Sequence, residues 1–217
     1  AFDVANRLFG LDFEAVDVPV PHPDARAWTV TRNGEHVGIF IGDYFARPSK
    51  RSGAWMSGLR PQQKIWDPAR PVITNTCNFA KGDPAFLSWD DALTVFHEFG
   101  HALHGLLSDV TYPYISGTSV ARDFVELPSQ LYEHWLSVPE VLEKHARHYR
   151  TGESMPRDLV ARLIAAENFN QGFKTVEYTA SALVDLELHT LEDAADFDGP
   201  DFERQILEDI GMPAAII

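Results

Sequence analysis

The residues whose types and spacing could do chemistry lie in the stretch VFHEFGHALHG. His97 and His101 stand four positions apart, and Glu98 directly follows the first histidine. On a helix, side chains four positions apart project from the same face, so both imidazoles can reach one metal ion. Glu98 would point at the water beside that ion. This HExxH pattern is typical of zinc sites that hydrolyse an amide.

A third ligand would complete a catalytic zinc site, and two carboxylates compete for the position. Glu126 follows twenty-five residues after His101, and we expect it to be the ligand, because a His/His/Glu set leaves a fourth position open for water. Its alternative role is that of an ordinary glutamate at a helix start. Glu133 is the competing ligand; otherwise it orients the site as a hydrogen-bond acceptor or is a solvated charge. The metzincin class is excluded, because it needs glycine and histidine where His104 and Leu107 stand.

Two helices are predicted to position these side chains. The first runs from about Trp89 to Leu107, because Ser88 and Asp91 stand at capping-box spacing and an apolar stripe follows. The second is predicted to run roughly from Ala121 to Ser137 and carries Glu126 near its start. A glutamate on such a following helix fits the third ligand position.

Further helices are predicted downstream. A short one begins at Pro139 and reaches Tyr149, and a very long helical segment follows from MPRDLV to LHTLED. Weak helix formers mark a bend in that segment: Asn168, Asn170 and Gly172. Core packing is expected for its apolar residues Phe169, Phe173, Val176 and Leu183. DFDGPDF breaks the pattern, and a terminal helix runs from Pro200 to near Gly211.

Strands are predicted before the metal-binding helix. The chain opens with an amphipathic segment, and then AWTV, the turn pair Asn33 and Gly34, and HVGIFIGDYFA read as a β-hairpin. PVITNTCNF is a third strand candidate. We therefore expect a mainly α fold with a small β-sheet, of the α+β class. The sheet would occupy residues 28–80 and the helical zinc-binding region residues 88–217, with one compact unit as the default.

HEFGHALHG followed by GTSVARDFVELPSQLYEHW resembles the thimet oligopeptidase family of zinc peptidases, and most closely its dipeptidyl carboxypeptidase branch. The similarity continues upstream through VGIFIGDYFARPSKRSGAWM and downstream through NFNQGFKTVEYTASALVDLELH. The resemblance implies a zincin-like catalytic core. It also implies that His97, His101 and Glu126 bind one zinc ion per chain, and that Glu98 is the general base and proton shuttle.

Members of that family are several times longer and enclose a deep channel that admits only unfolded peptides. A histidine and a tyrosine in a later Tyr-rich and Gly-rich segment help to hold the oxyanion, and this chain stops at Ile217 before such a segment. We therefore expect a single partial catalytic domain over residues 1–217. The expected activity is release of C-terminal dipeptides from short peptides. The alternatives are an oligoendopeptidase of the same family, or a catalytically incompetent fragment that self-associates.

An extended peptide can bind by adding to an exposed sheet edge, which demands no particular side chains. Gly53 and Ala54 are the candidates for that close backbone approach, partly from the family resemblance, with a simple flexible turn as the alternative. The preceding basic residues Arg47, Lys50 and Arg51 could attract a terminal carboxylate. A solvated loop is the favoured interpretation of these three.

Composition narrows the class of partner. Thirty-two acidic against eighteen basic residues give a formal net charge of −14, which argues against nucleic acid or an anionic membrane surface as a binding partner.

Cys77 is the only cysteine, so an intramolecular disulfide is excluded and the residue is expected to be a small buried apolar one. No signal peptide or membrane span is recognised. The cytoplasm is the expected compartment, with the periplasm as the alternative.

Overall fold

The computed structural model describes residues 1–193, 198–213 and 215. The chain divides into two compact units, residues 1–155 and 156–217. The described elements of the first unit are, in chain order, α1 (Phe2–Phe9), β1 (Leu11–Val16), β2 (Arg26–Arg32), β3 (Glu35–Phe45), β4 (Trp55–Arg60), β5 (Val72–Phe79), α2 (Trp89–Leu106), a 3₁₀ turn (Pro113–Ile115), α3 (Leu127–Glu133) and α4 (Pro139–His145). Those of the second unit are α5 (Arg157–Glu167), α6 (Gln171–His189) and α7 (Gly199–Asp209).

The strands form one mixed sheet in the order β1-β2-β3-β5-β4. Strands β3 and β5 are parallel, and the other neighbouring pairs are antiparallel. The predicted hairpin is confirmed: β2 and β3 are joined at Asn33 and Gly34, whose φ angles of 52° and 80° suit a two-residue turn of type I′. The predicted third strand is β5. Strands β1 and β4 were not predicted, so the sheet begins earlier and is wider than expected.

Helix α2 lies across the sheet and carries the HExxH residues. It begins and ends within one residue of the predicted bounds, and Ser88 and Asp91 form the predicted capping box. Its inner face buries Phe99 against Phe40 of β3, with ring centroids 5.2 Å apart in an edge-to-face contact. Phe2 of α1 packs on both of these rings. The aromatic cluster fixes α2 on the sheet and so fixes the direction of its polar face.

Helix α3 is much shorter than predicted. The sequence was expected to be helical from about Ala121 to Ser137, but residues 122–126 form turns and the helix begins only at Leu127. Pro128 occupies the first turn, where its missing N–H costs nothing and its fixed φ favours a helix start. The helix after Pro139 likewise ends at His145 rather than at Tyr149. As a result Glu126 lies at the junction of a turn and a helix.

The second unit contains the predicted bend. Asn170 has a φ of 56°, and the long helical segment is divided there into α5 and α6. The expectation that its aromatic residues pack in a core is wrong, because Phe169 is 74% exposed and Val176 is 53% exposed. Phe173 and Leu183 are also exposed. The helical period is correct, but these apolar side chains are exposed among the described residues. Residues 196–197 of the predicted break lie outside the described residues.

The basic loop after β3 is not the solvated loop that its sequence favoured. Lys50 is almost wholly buried, and its Nζ lies 2.8 Å from Asp43 Oδ1. The same ammonium donates to the main-chain oxygens of Asp43, Phe45 and Cys77. Arg47 makes a two-pronged ion pair with Asp43. Burial alone would raise the pKa of the Asp43 carboxyl, but the two cations outweigh burial and lower it.

Cys77 is buried, as predicted. Its burial raises the pKa of the thiol to about 12, so the thiol stays protonated at neutral pH. Among the described helices, none is long and apolar enough to cross a membrane.

Candidate metal centre

His97 and His101 lie one turn apart on α2, and their ring centroids are 4.9 Å apart. Both Nε2 atoms face Glu126, which approaches from the start of α3. Glu126 Oε2 lies 3.2 Å from Nε2 of His97 and 3.1 Å from Nε2 of His101. One ligand atom from each of the three residues falls within 4.8 Å of the others, so this group could hold a metal ion.

Glu126 is held in place by a residue that the sequence reasoning missed. Ser129 Oγ lies 2.8 Å from the Glu126 carboxylate and 2.8 Å from its main-chain oxygen. Ser129 is itself fully buried. A serine three positions after the glutamate is the only sequence signal for this contact, and it becomes informative only once α3 is known to begin at Leu127.

Gly100 allows α3 to approach α2 closely enough for Glu126 to reach both histidines. A Cβ atom at Gly100 would lie 2.6 Å from Ser129 Cα and 2.8 Å from the Pro128 main-chain oxygen. Both neighbours are backbone and cannot move aside as a flexible side chain would. The glycine between the two histidines is therefore required by the packing of the two helices.

Glu133 lies at the other end of α3 and contacts His97 alone. Its Oε1 is 2.6 Å from His97 Nδ1, a distance typical of a charge-assisted hydrogen bond. An imidazole that donates from Nδ1 keeps the lone pair on Nε2, and in His97 that atom faces Glu126. Glu126 therefore occupies the position expected of a third ligand, and Glu133 that of an acceptor that orients a histidine.

Glu98 is 6% exposed, and within the described residues its Oε2 has no hydrogen-bond partner. Burial raises the pKa of this carboxyl; the charge of Glu126 also raises it, and His97 opposes them. Burial lowers the pKa of His101 and so favours its neutral form. For Glu126, burial would raise the pKa, but the hydrogen bond from Ser129 and the two histidines lower it overall. The group thus combines a histidine that favours its neutral form, His101, an ionised carboxylate, Glu126, and a buried carboxylate of raised pKa, Glu98.

A cavity of about 430 Å³ opens beside these residues. It is lined by Ala54, Asp90, Leu93, Thr94, His97, Glu98 and Glu133. Ala54 immediately precedes β4, the outer strand of the sheet. Of the two residues predicted to approach a peptide, Ala54 lines this cavity and Gly53 does not.

Other polar residues named from the sequence do not join this group. Arg47 and Lys50 are occupied by Asp43. His104 lies one turn beyond His101 on α2 and lines a separate apolar cavity of about 540 Å³.

We expect Gly100→Ala to weaken divalent metal binding by at least tenfold and to lower the free energy of unfolding by about 1–3 kcal/mol, because the new methyl group pushes the backbone of α3 away from α2. Metal-competition titration and urea denaturation of the purified chain measure the two effects. Gly172→Ala is the control, since its Cβ meets nothing within 4 Å. Full metal affinity in Gly100→Ala would show that Glu126 does not depend on this close approach.

Comparison with known proteins identifies the family of this chain. The family model described as "Peptidase family M3" matches residues 1–210. A dipeptidyl carboxypeptidase of Salmonella typhimurium is 47% identical over 221 residues, covering 98% of this chain and 32% of the relative. Oligopeptidase A of Escherichia coli is 39% identical over 215 residues, covering 95% of this chain and 31% of the relative. The chain thus spans about a third of the length of these curated relatives. The chain belongs to Peptidase family M3, in agreement with the family resemblance of its sequence.

Proposed function

We propose that the chain carries the zinc site of a peptidase that hydrolyses short unfolded peptides and releases dipeptides from their C-termini. The observation that carries this proposal is the convergence of two imidazole nitrogens and one carboxylate oxygen, with a buried glutamate beside them. Membership of a peptidase family supports the reaction, and the 47% identical dipeptidyl carboxypeptidase supports the product.

Zinc is the metal that suits this donor set. Two histidines and one carboxylate with an open fourth position is a recurring set for catalytic zinc. Donors about 2.0–2.1 Å from a tetrahedral ion lie about 3.3 Å from one another. Glu126 Oε2 lies 3.1 and 3.2 Å from the two Nε2 atoms, close to that separation, and the ligand atoms of all three residues lie within 4.8 Å of one another.

A bound zinc ion would supply a Lewis acid that lowers the pKa of water towards about 7 and polarises the scissile carbonyl. Glu98 would accept the proton of the attacking water and then donate it to the leaving amine. Burial and the charge of Glu126 raise the pKa of the Glu98 carboxyl, which makes its carboxylate a stronger base. Glu133 would hold His97 with its Nε2 lone pair directed at the metal.

The substrate would bind as an extended strand along β4. This strand pairs with β5 on one side and forms the edge of the sheet on the other. Main-chain hydrogen bonds to an edge strand accept varied side chains, which suits a peptidase for mixed peptides. The cytoplasm, with its supply of short peptides and reducing conditions, is the proposed compartment for a chain whose single cysteine is a buried thiol.

The second candidate function is an oligoendopeptidase, which is favoured by the 39% identity to oligopeptidase A. Two of the three basic residues that could attract a terminal carboxylate are occupied, since Arg47 and Lys50 bind Asp43. Arg51 stacks on Trp55 with its guanidinium carbon 4.6 Å from the ring centroid, and it remains exposed at the edge of the sheet.

Peptides with a free or an amidated C-terminus distinguish the two candidates. A dipeptidyl carboxypeptidase should cleave the free peptide and lose at least 10-fold in kcat/KM on the amidated one, because the terminal charge contributes to binding only in the first case. Mass spectrometry of the products identifies the bond that is cut. Equal cleavage of both peptides at internal bonds would establish the endopeptidase instead.

Glu126→Ala should weaken zinc binding by 100-fold or more, since it removes one of three donors. Glu133→Ala should weaken binding by about 10–100-fold, the usual effect of losing the group that orients a ligand histidine. Zinc affinity is measured by competition with a chromogenic chelator. The reverse ranking would make Glu133 the third ligand.

Glu98→Gln should retain one zinc ion per chain and lower peptide hydrolysis at least 10³-fold, because glutamine keeps the shape of the side chain but cannot accept the proton. Metal content is measured by plasma mass spectrometry, and turnover is followed with a quenched fluorescent peptide. Asp90→Asn, another carboxylate on the wall of the same cavity, is the matched control and should leave turnover within a factor of about two. Undiminished hydrolysis by Glu98→Gln would contradict the proposed mechanism.

A further inference from the structure

Asn78 of β5 ties the loop that precedes β4 to the sheet. Its Nδ2 donates to the main-chain oxygens of Arg51 and Gly53, both at 2.8 Å. The β4–β5 pairing ends at Trp55 and Thr76, so Gly53 and Asn78 both lie just beyond its last paired position. The Asn78 side-chain amide therefore hydrogen-bonds the loop at the position where the backbone pairing of β4 with β5 has ended.

Both acceptors are carbonyl oxygens, so the nitrogen of the Asn78 amide must face the loop, and its two N–H groups match the two acceptors. The start of the same loop is also fixed. Buried Lys50 donates to the main-chain oxygens of Phe45 and Cys77, which joins the end of β3 to β5. The loop from β3 to β4 is thus attached to β5 near both of its ends.

The hydrogen bond to Gly53 determines where the next main-chain N–H points. In a planar trans peptide the C=O of one residue and the N–H of the next point in opposite directions. Because the Gly53 oxygen accepts from the Asn78 side chain, the Ala54 N–H is directed away from that amide. β5 flanks β4 on one side only, and the other side of β4 is an open edge of the sheet. Ala54 also lines the cavity that contains His97 and Glu98.

The geometry points to Asn78 as a positioning residue that aims the Ala54 N–H at a carbonyl oxygen of an extended peptide beside the proposed catalytic site. This inference rests on the proposed function. It also separates the roles of two neighbouring residues: Ala54 donates to the substrate, while the Gly53 carbonyl is used within the protein. Gly53 itself has a φ of 92°, a conformation that residues with a side chain rarely adopt, so the chain can bend there before the extended strand begins.

The experiment uses the zinc-loaded chain labelled with ¹⁵N in a Glu98→Gln background, so that added peptide is bound but not cleaved. The probe is an unstructured hexapeptide of alanine and glycine. We expect peptide addition to shift the Ala54 amide proton downfield, as a new hydrogen bond does. In Asn78→Leu, which keeps the side-chain volume but removes both donors, this shift should be lost and the peptide Kd should rise about 5–10-fold, the value of one hydrogen bond.

In the otherwise unchanged chain, Asn78→Leu should raise KM by the same factor and leave kcat and zinc content unchanged, because a contact made equally in the ground state and the transition state affects binding alone. Asn78→Gln, which keeps both donors, should restore part of the affinity. Thr76→Val, on the same face of β5, is the control and should change neither the shift nor KM.

The outcomes separate this inference from the proposed function. Peptide binding and hydrolysis with an unmoved Ala54 amide, or with an unchanged KM in Asn78→Leu, would overturn the role of Asn78 and leave the peptidase intact. A parallel fall in kcat and zinc content in Asn78→Leu would show a merely structural role and would also overturn it. A parent chain that binds zinc but neither binds nor cleaves any peptide would overturn both.

Discussion

The site depends on one steric condition, the close contact of the α2 and α3 backbones at Gly100. Glu126 is a short side chain at the start of a short helix, and it reaches both histidines only if that helix lies against α2. The histidines are local neighbours, since their spacing follows from the period of one helix. The carboxylate is a distant neighbour along the chain, and its position is set by tertiary packing. Because Gly100 has no Cβ atom, α3 can pack close enough to α2 for Glu126 to meet the two histidines.

A second constraint is the concentration of negative charge around two imidazoles. Glu98, Glu126 and Glu133 all lie beside His97 or the shared cavity. Burial and neighbouring negative charges both oppose the ionisation of a carboxyl group, as the raised pKa of Glu98 illustrates. Such an arrangement favours a divalent cation, which would offset the repulsion between the carboxylates that approach it. The same cluster of carboxylates therefore raises the pKa of the proposed general base and favours a cation at the proposed ligands.

The features that were predicted correctly from the sequence are those governed by local rules. The bounds of α2 followed from its capping box and apolar stripe, and the hairpin followed from the turn pair Asn33 and Gly34. The sequence also singles out His97, His101 and Glu126, whose ligand atoms lie within 4.8 Å of one another in the structure, while the roles of these residues and of Glu98 stay predictions. The extent of the helix around Glu126 was wrong, because apolar spacing alone does not reveal that Pro128 favours a helix start. The burial of Phe169 was wrong as well, since periodicity identifies an apolar face but not what covers it.

Strand β4 shows why the remaining part of the site was harder to predict. WMSGLR has no clear alternation of polar and apolar residues, and no residue of β4 is fully buried, so the strand gives little periodic signal. Contacts with β5 hold the loop before it instead: Asn78 donates to the carbonyls of Arg51 and Gly53, and Lys50 donates to the carbonyl of Cys77. The basic residues read as a solvated loop because charge usually stays in water, whereas here three main-chain oxygens and Asp43 compensate a buried ammonium. The chemical groups of the proposed site come from one helix and a glutamate at the start of a later helix. The edge that would present a peptide to them is held by polar contacts that become visible only in three dimensions.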